Sequence, residues 1–145
     1  MKKVVFYLAL IFVTLLGEAC QSADRVVPFD QLPESAQSFI KTHFPDLSVS
    51  VVIQEHRSYE VRLADGSEVE FDRSGDWDNV DCAPHAVPQT IVSLLPAAIP
   101  TYIATSFPND HVVSIDKNRR NFEIELSNDL DLKFSKEGKF LALDD

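Results

Sequence analysis

The densest run of side chains able to do chemistry is Asp72-Arg73-Ser74-Gly75-Asp76-Trp77-Asp78-Asn79-Val80-Asp81. Calcium takes about six to eight oxygen ligands from carboxylates and carbonyls on a turn. Asp72, Asp76, Asp78 and Asp81 supply candidate ligands. The spacing lacks the ordered acidic positions and closing glutamate of an EF-hand loop. Aspartate also favours turns in its own right, so a solvated hairpin is the competing reading.

No other group suggests a reaction. His43, His56, His85 and His111 are scattered without zinc-site spacing. There is no Gly-x-Ser-x-Gly elbow and no recognisable Cys–His setting. No catalytic set is therefore expected, and a non-enzymatic role is. Cys82 stands alone in the body of the chain and reads as a half-buried free thiol. It pairs with Cys20 only if that residue is neither lipidated nor removed.

The remaining candidates are charged residues that alternate with apolar ones. Glu60, Arg62, Glu68, Glu70, Glu123, Glu125 and Lys133 interleave with Tyr59, Val61, Leu63, Val69, Phe71, Phe122, Ile124, Leu126, Leu132 and Phe134. Period-two alternation places the two sets on opposite faces of strands. An antiparallel sheet can leave one such face wet. Charges gathered there suit a protein partner, and they are the partner-binding candidates.

The elements that must carry these residues recur along the chain. A shift of 63 residues lays Leu32-Pro33 on Leu95-Pro96 and Phe44-Pro45 on Phe107-Pro108. The same shift lays Tyr59-Glu60-Val61 on Phe122-Glu123-Ile124, Gly75 on Gly138 and Trp77 on Phe140. A register held this far predicts one supersecondary unit built twice. Leu32, Ala36, Phe39, Ile40 and Phe44 have helical spacing, and Pro45 ends that run. Asp65-Gly66 and Asn128-Asp129 are turn signals between strands. The expected fold class is α+β: a tandem repeat of a helix plus about four antiparallel strands, with helices on one face of an open sheet. The units would span 32–82 and 83–145, after a polar lead-in at 20–31.

Residues 1–19 read as an export signal. Lys2 and Lys3 precede the uncharged apolar run Val4 to Leu16, shorter than the roughly 20 residues of a membrane-spanning helix. Leu16-Gly17-Glu18-Ala19-Cys20 resembles a lipoprotein signal, with Cys20 as the lipidation site. Cleavage by an ordinary peptidase after Ala19 or Ala23 is the alternative. Either route places the protein in the periplasm or cell envelope.

The whole chain has 13 basic and 23 acidic side chains, for a net charge of −10. Loss of residues 1–19 makes it one unit more negative. This excludes a nucleic-acid partner, whose phosphates demand clustered cations. It also argues against anionic lipid surfaces, leaving a lipid anchor at Cys20 as the expected route to a membrane. A partner with a basic face fits.

Several stretches together resemble a known family. They are Leu-Pro…Phe-Ile…Phe-Pro at 32–45, Tyr-Glu-Val-x-Leu-x-Asp-Gly-x-x-x-x-Phe-Asp-x-x-Gly-x-Trp at 59–77 and Val-Asp-Cys at 80–82. Further on come Ile-Pro-x-Tyr-Ile at 99–103, Glu-x-Glu-Leu-Ser-Asn at 123–128 and Leu-x-Phe-x-x-x-Gly-x-Phe at 132–140. In these the chain resembles the PepSY-like periplasmic proteins, whose fold is like that of the β-lactamase inhibitor protein. The resemblance implies no catalytic residues and a protein-binding or inhibitory role. The expected function is thus a binding module acting through the polar sheet face, as a monomer or homodimer. A calcium or small-ligand binder is the alternative.

Overall fold

A computed structural model describes residues 24–144. The export signal and Cys20 lie outside the described residues. The described residues open with strand β1 (Arg25–Val26) and a 3-10 turn at Phe29–Gln31, then helix α1 (Glu34–His43). Strands β2 (Val49–Gln54), β3 (Ser58–Leu63), β4 (Glu68–Asp72) and β5 (Trp77–Asp81) follow. Next come helices α2 (Gln89–Val92) and α3 (Ala98–Ser106). Strands β6 (Val112–Lys117), β7 (Asn121–Leu126), β8 (Asp131–Ser135) and β9 (Phe140–Asp144) complete the chain.

All nine strands form one sheet in chain order, and every neighbouring pair is antiparallel. This corrects the expected α+β tandem of helix plus about four strands. The described residues are mostly sheet, with three short α-helices of 10, 4 and 9 residues. Two physical causes account for the difference. Prolines limit the helices: Pro33 caps α1, Pro88 caps α2, and Pro100 sits in the first turn of α3, where its missing N–H costs nothing. The inner edges of the two four-strand stretches also satisfy each other. Asn79, Val80 and Asp81 of β5 pair with Asp116, Ile115 and Ser114 of β6, which leaves no break in the middle of the sheet.

The stretch read as a polar lead-in holds β1, which pairs with β2, and Val27, which is buried and donates its N–H to Val52 O at 3.0 Å. Two adjacent apolar residues, Val26 and Val27, carry no periodicity long enough to announce a strand.

The core lies between the helices and one face of the sheet. Val61, Val69, Phe71, Ile115, Ile124, Leu132 and Phe134 are fully buried there. Ala36 and Ile40 of α1, Ile91 of α2, and Ile99 and Ile103 of α3 cover them. Aromatic rings tie helix to sheet. Phe39 meets Phe71 edge-on at 5.5 Å between ring centroids, and Tyr102 stacks on Phe140 at 4.8 Å. The β4–β5 turn presses onto α1: Gly75 has φ +88°, and a Cβ there would lie 2.7 Å from Pro33 Cβ. Gly138, at φ +85°, meets Pro96 in the same way at 3.0 Å.

Candidate functional site

The face of the sheet turned away from the helices carries the charged residues singled out above. The strand registers order them into transverse rows. In one row Glu60 lies opposite Glu70, Glu70 opposite Asn79, Asn79 opposite Asp116, Asp116 opposite Glu123, and Glu123 opposite Lys133. One step along the strands runs a second row: Arg62, Glu68, Asp81, Ser114, Glu125 and Asp131. The structure therefore brings all seven partner-binding candidates onto one continuous surface.

Residues in the middle of that surface, Asn79, Asp116 and Ser114, escaped the sequence reading. The signal was present, because Ser114 and Asp116 flank buried Ile115. A bulge between Val112 and Ser114 breaks the alternation just before them.

Cations are placed at the flanks of the first row and absent from its centre. Arg62 pairs with Glu60 and, at 3.0 Å, with Glu68. Lys133 pairs with Glu123 at 3.0 Å. Hydrogen bonding to Glu60 raises the Arg62 guanidinium above its ordinary pKa, and the Glu123 bond does the same for Lys133. Glu70 and Asp116 have no ion-pair partner among the described residues. Partial burial raises the pKa of both, and neighbouring carboxylates add to the shift: Glu55 and Glu60 for Glu70, Glu123 and Asp78 for Asp116. Glu125 is also raised, first by desolvation and then by Asp131. The centre of the face is an anionic strip without an ion pair among the described residues, and only the charge of Lys136 acts against the shift of Asp116.

The four calcium candidates are not brought together. Asp72 Oδ1 accepts hydrogen bonds from Ser74 N (2.8 Å), Ser74 Oγ (2.7 Å) and Asp76 N (3.0 Å). The Ser74 hydroxyl bond is the main cause of its lowered pKa. Asp81 Oδ1 accepts from Ala83 N at 2.9 Å. Burial, and then the charge of Asp72, raise the pKa of Asp78, with Lys117 acting against them. Among the described residues, no group of three or more His, Cys, Asp or Glu side chains could hold a metal ion. The hairpin uses Asp72 to build its own turn.

On the helix side, a cavity of about 330 Å³ lies between α3 and the start of β6, lined by Val87, Val92, Ile103, Phe107 and Val112, with Asp110 and His111 also in its wall. Its lining is largely apolar. Cys82 is a buried free thiol, and burial raises its pKa. His43 Nδ1 lies 2.8 Å from Thr90 Oγ1, which ties α1 to α2.

Comparison with known families and structures places this geometry. The family model described as "Putative beta-lactamase-inhibitor-like, PepSY-like" matches residues 19–63 and 57–142. The chain belongs to the PepSY-like family. The matched residues of this PepSY-like protein include every charged residue of the sheet face discussed above. A crystal structure of a periplasmic protein from Bacteroides vulgatus is 36% identical, with a TM-score of 0.79, over 86% of this chain and 98% of its own. One from Bacteroides thetaiotaomicron, described as a "putative calcium-regulated periplasmic protein", is 37% identical with a TM-score of 0.79, over 84% and 97%. A second Bacteroides vulgatus periplasmic protein is 35% identical with a TM-score of 0.79, over 85% and 100%. No curated protein matches the chain.

Proposed function

We propose that this PepSY-like protein is a non-enzymatic binding module outside the cytoplasm that engages a basic protein partner through the polar face of its sheet, as an inhibitor does. The observation that carries this reading is the central strip, in which Glu70 and Asp116 are exposed and form no ion pair among the described residues, while Arg62 and Lys133 pair with the flanks. A lysine or arginine from a partner supplies the missing charge and relieves the repulsion between carboxylates. The periplasmic description of its relatives supports the location. The family description supports the inhibitory mode.

The test is affinity capture from cell-envelope extract with the protein and its Glu68→Lys, Glu70→Lys variant. The expected result is a partner that the variant loses, with binding that weakens as salt rises. A partner held equally by both proteins removes the sheet face from the reading.

The description of the Bacteroides thetaiotaomicron relative raises calcium as a second reading. The placement of Asp72, Asp76, Asp78 and Asp81 gives that reading no shared site in the 72–81 hairpin.

A further inference from the structure

The shift of 63 residues that lays the sequence on itself also lays backbone hydrogen bonds around α1 on those around α3. Leu32 N donates to Phe29 O at 3.1 Å, and Leu95 N donates to Val92 O at 3.2 Å. Phe44 N donates to Ile40 O at 2.9 Å, and Phe107 N donates to Ile103 O at 2.8 Å. Leu47 N donates to Phe44 O, and Asp110 N donates to Phe107 O, both at 3.2 Å. Phe29, Lys41 and Leu47 therefore hold the same backbone places beside α1 as Val92, Ala104 and Asp110 hold beside α3.

Beside α1 those places carry large side chains. Phe29 and Leu47 pack against the buried core, and Lys41 Nζ lies 5.5 Å from the Phe29 ring centroid. Beside α3 all three side chains are smaller, and all three line the cavity of about 330 Å³. Small-ligand pockets span roughly 300 to 1,000 Å³. Val87 N donates to Val112 O at 2.8 Å, which fixes one wall against β6. Asp110 puts an acid where the α1 side has the apolar Leu47. Its Oδ2 accepts from Asn128 Nδ2 at 3.1 Å and its Oδ1 from Ser127 Oγ at 3.4 Å. The carboxylate is thus held in place with lone pairs to spare. It forms no ion pair among the described residues. The carbonyls at the C-terminal end of α3 add partial negative charge beside it.

We propose that this cavity binds a small aromatic amine, with its ring on Val92, Ile103 and Phe107 and its ammonium at Asp110. The α1 side shows the chemistry, because there the chain itself supplies an aromatic ring and an ammonium in Phe29 and Lys41. Beside α3 both are missing and an acid is present, which favours a cationic ligand. The volume suits a single-ring molecule. The cavity lies on the helix side of the sheet, so this inference stands apart from the partner reading above.

The test is NMR titration of the protein with phenethylammonium, phenylacetate and ethylammonium. Phenethylammonium should bind with a dissociation constant on the order of 1 mM and shift the amides of Phe107 and Val112. Phenylacetate reverses the charge and ethylammonium lacks the ring, so each should bind about tenfold more weakly. Asp110→Asn should weaken the amine about tenfold, with the rest of the spectrum unchanged. Ala104→Lys, at an exposed position, restores the side chain of Lys41 and should abolish binding. Absence of amine binding to the unaltered protein overturns the proposal, as does equal binding of phenylacetate. An amine that both variants still hold sits elsewhere, as on the anionic sheet face, and also overturns it. A captured protein that Ala104→Lys loses, without amine binding, assigns the cavity to a side chain of that protein and overturns it too.

Discussion

Asn79 on β5 and Asp116 on β6 are direct cross-strand partners, and this pair carries the polar row across the middle of the sheet. The amide separates Glu70 from Asp116 and so keeps two carboxylates from lying directly opposite each other. Like charges in that position are destabilising. Outward from the pair, Glu70 faces Glu60 and Asp116 faces Glu123, and in each couple only the outer carboxylate forms an ion pair among the described residues.

That arrangement sets a pH dependence. Glu70, Asp116 and Glu125 have folded pKa values above their ordinary ones. A raised carboxylate contributes stability that is complete below its unfolded pKa and lost as pH rises through its folded pKa. Asp116→Asn should therefore raise the melting temperature at neutral pH by about 2 °C. The gain should vanish at pH values below the carboxylate range. Thermal melts across pH check this; a gain that persists in acid would assign the effect to packing.

Gly75 tests the seat of α1 on the sheet. Gly75→Ala meets both a positive φ and Pro33, whereas Gly66→Ala, at φ +92°, meets nothing within 4 Å. The Gly66 change should cost about 1 kcal/mol from backbone strain alone. The Gly75 change should cost about 3 kcal/mol, because α1 must move as well. Urea unfolding of both variants measures the difference. Equal losses would mean that the α1 contact adds nothing.

Asp72 separates turn chemistry from calcium chemistry. Its carboxylate accepts from Ser74 and Asp76, so Asp72→Ala should cost about 1 to 2 kcal/mol with or without chelator. Calorimetric titration of the unaltered protein with calcium is the companion measurement. A calcium-dependent rise in melting temperature that Asp72→Ala abolishes would return the hairpin to the list of metal sites.

Cys82 is buried at the start of the β5–β6 connection, with its N–H bonded to Val113 O at 2.9 Å. Burial holds the thiol protonated. In a Cys20→Ser background it should react with a thiol reagent only in denaturant. Labelling of the folded protein at the rate of a free thiol would show that the connection opens.

The alternation of Tyr59 to Leu63 and of Phe122 to Leu126 carried enough information to place β3 and β7 and sort their faces. It did so because each strand's own residues record which side is buried. The join between β5 and β6 was not legible, since that pairing depends on residues separated by the whole 82–111 connection. The same limit hid Asn79 and Asp116 as members of one row. The repeat pattern gave each unit its own helix and strands, but it could not show that all nine strands join into one sheet that outweighs the short helices. The seven charged candidates share one face of the sheet because a common face follows directly from the alternation. The acidic hairpin stayed open to two readings because aspartate serves turns and metals alike, and composition cannot distinguish the two.

The chain order of the sheet also bears on how the molecule assembles. Six of its ladders close between strands joined by tight hairpins, so little loop entropy is lost when they form. Only β1–β2 and β5–β6 enclose helices. Low contact order speeds folding. Local hairpins can zip in any sequence, and the slow event is the meeting of Val80 with Ile115, which turns two separately nucleated meanders into one cooperative unit.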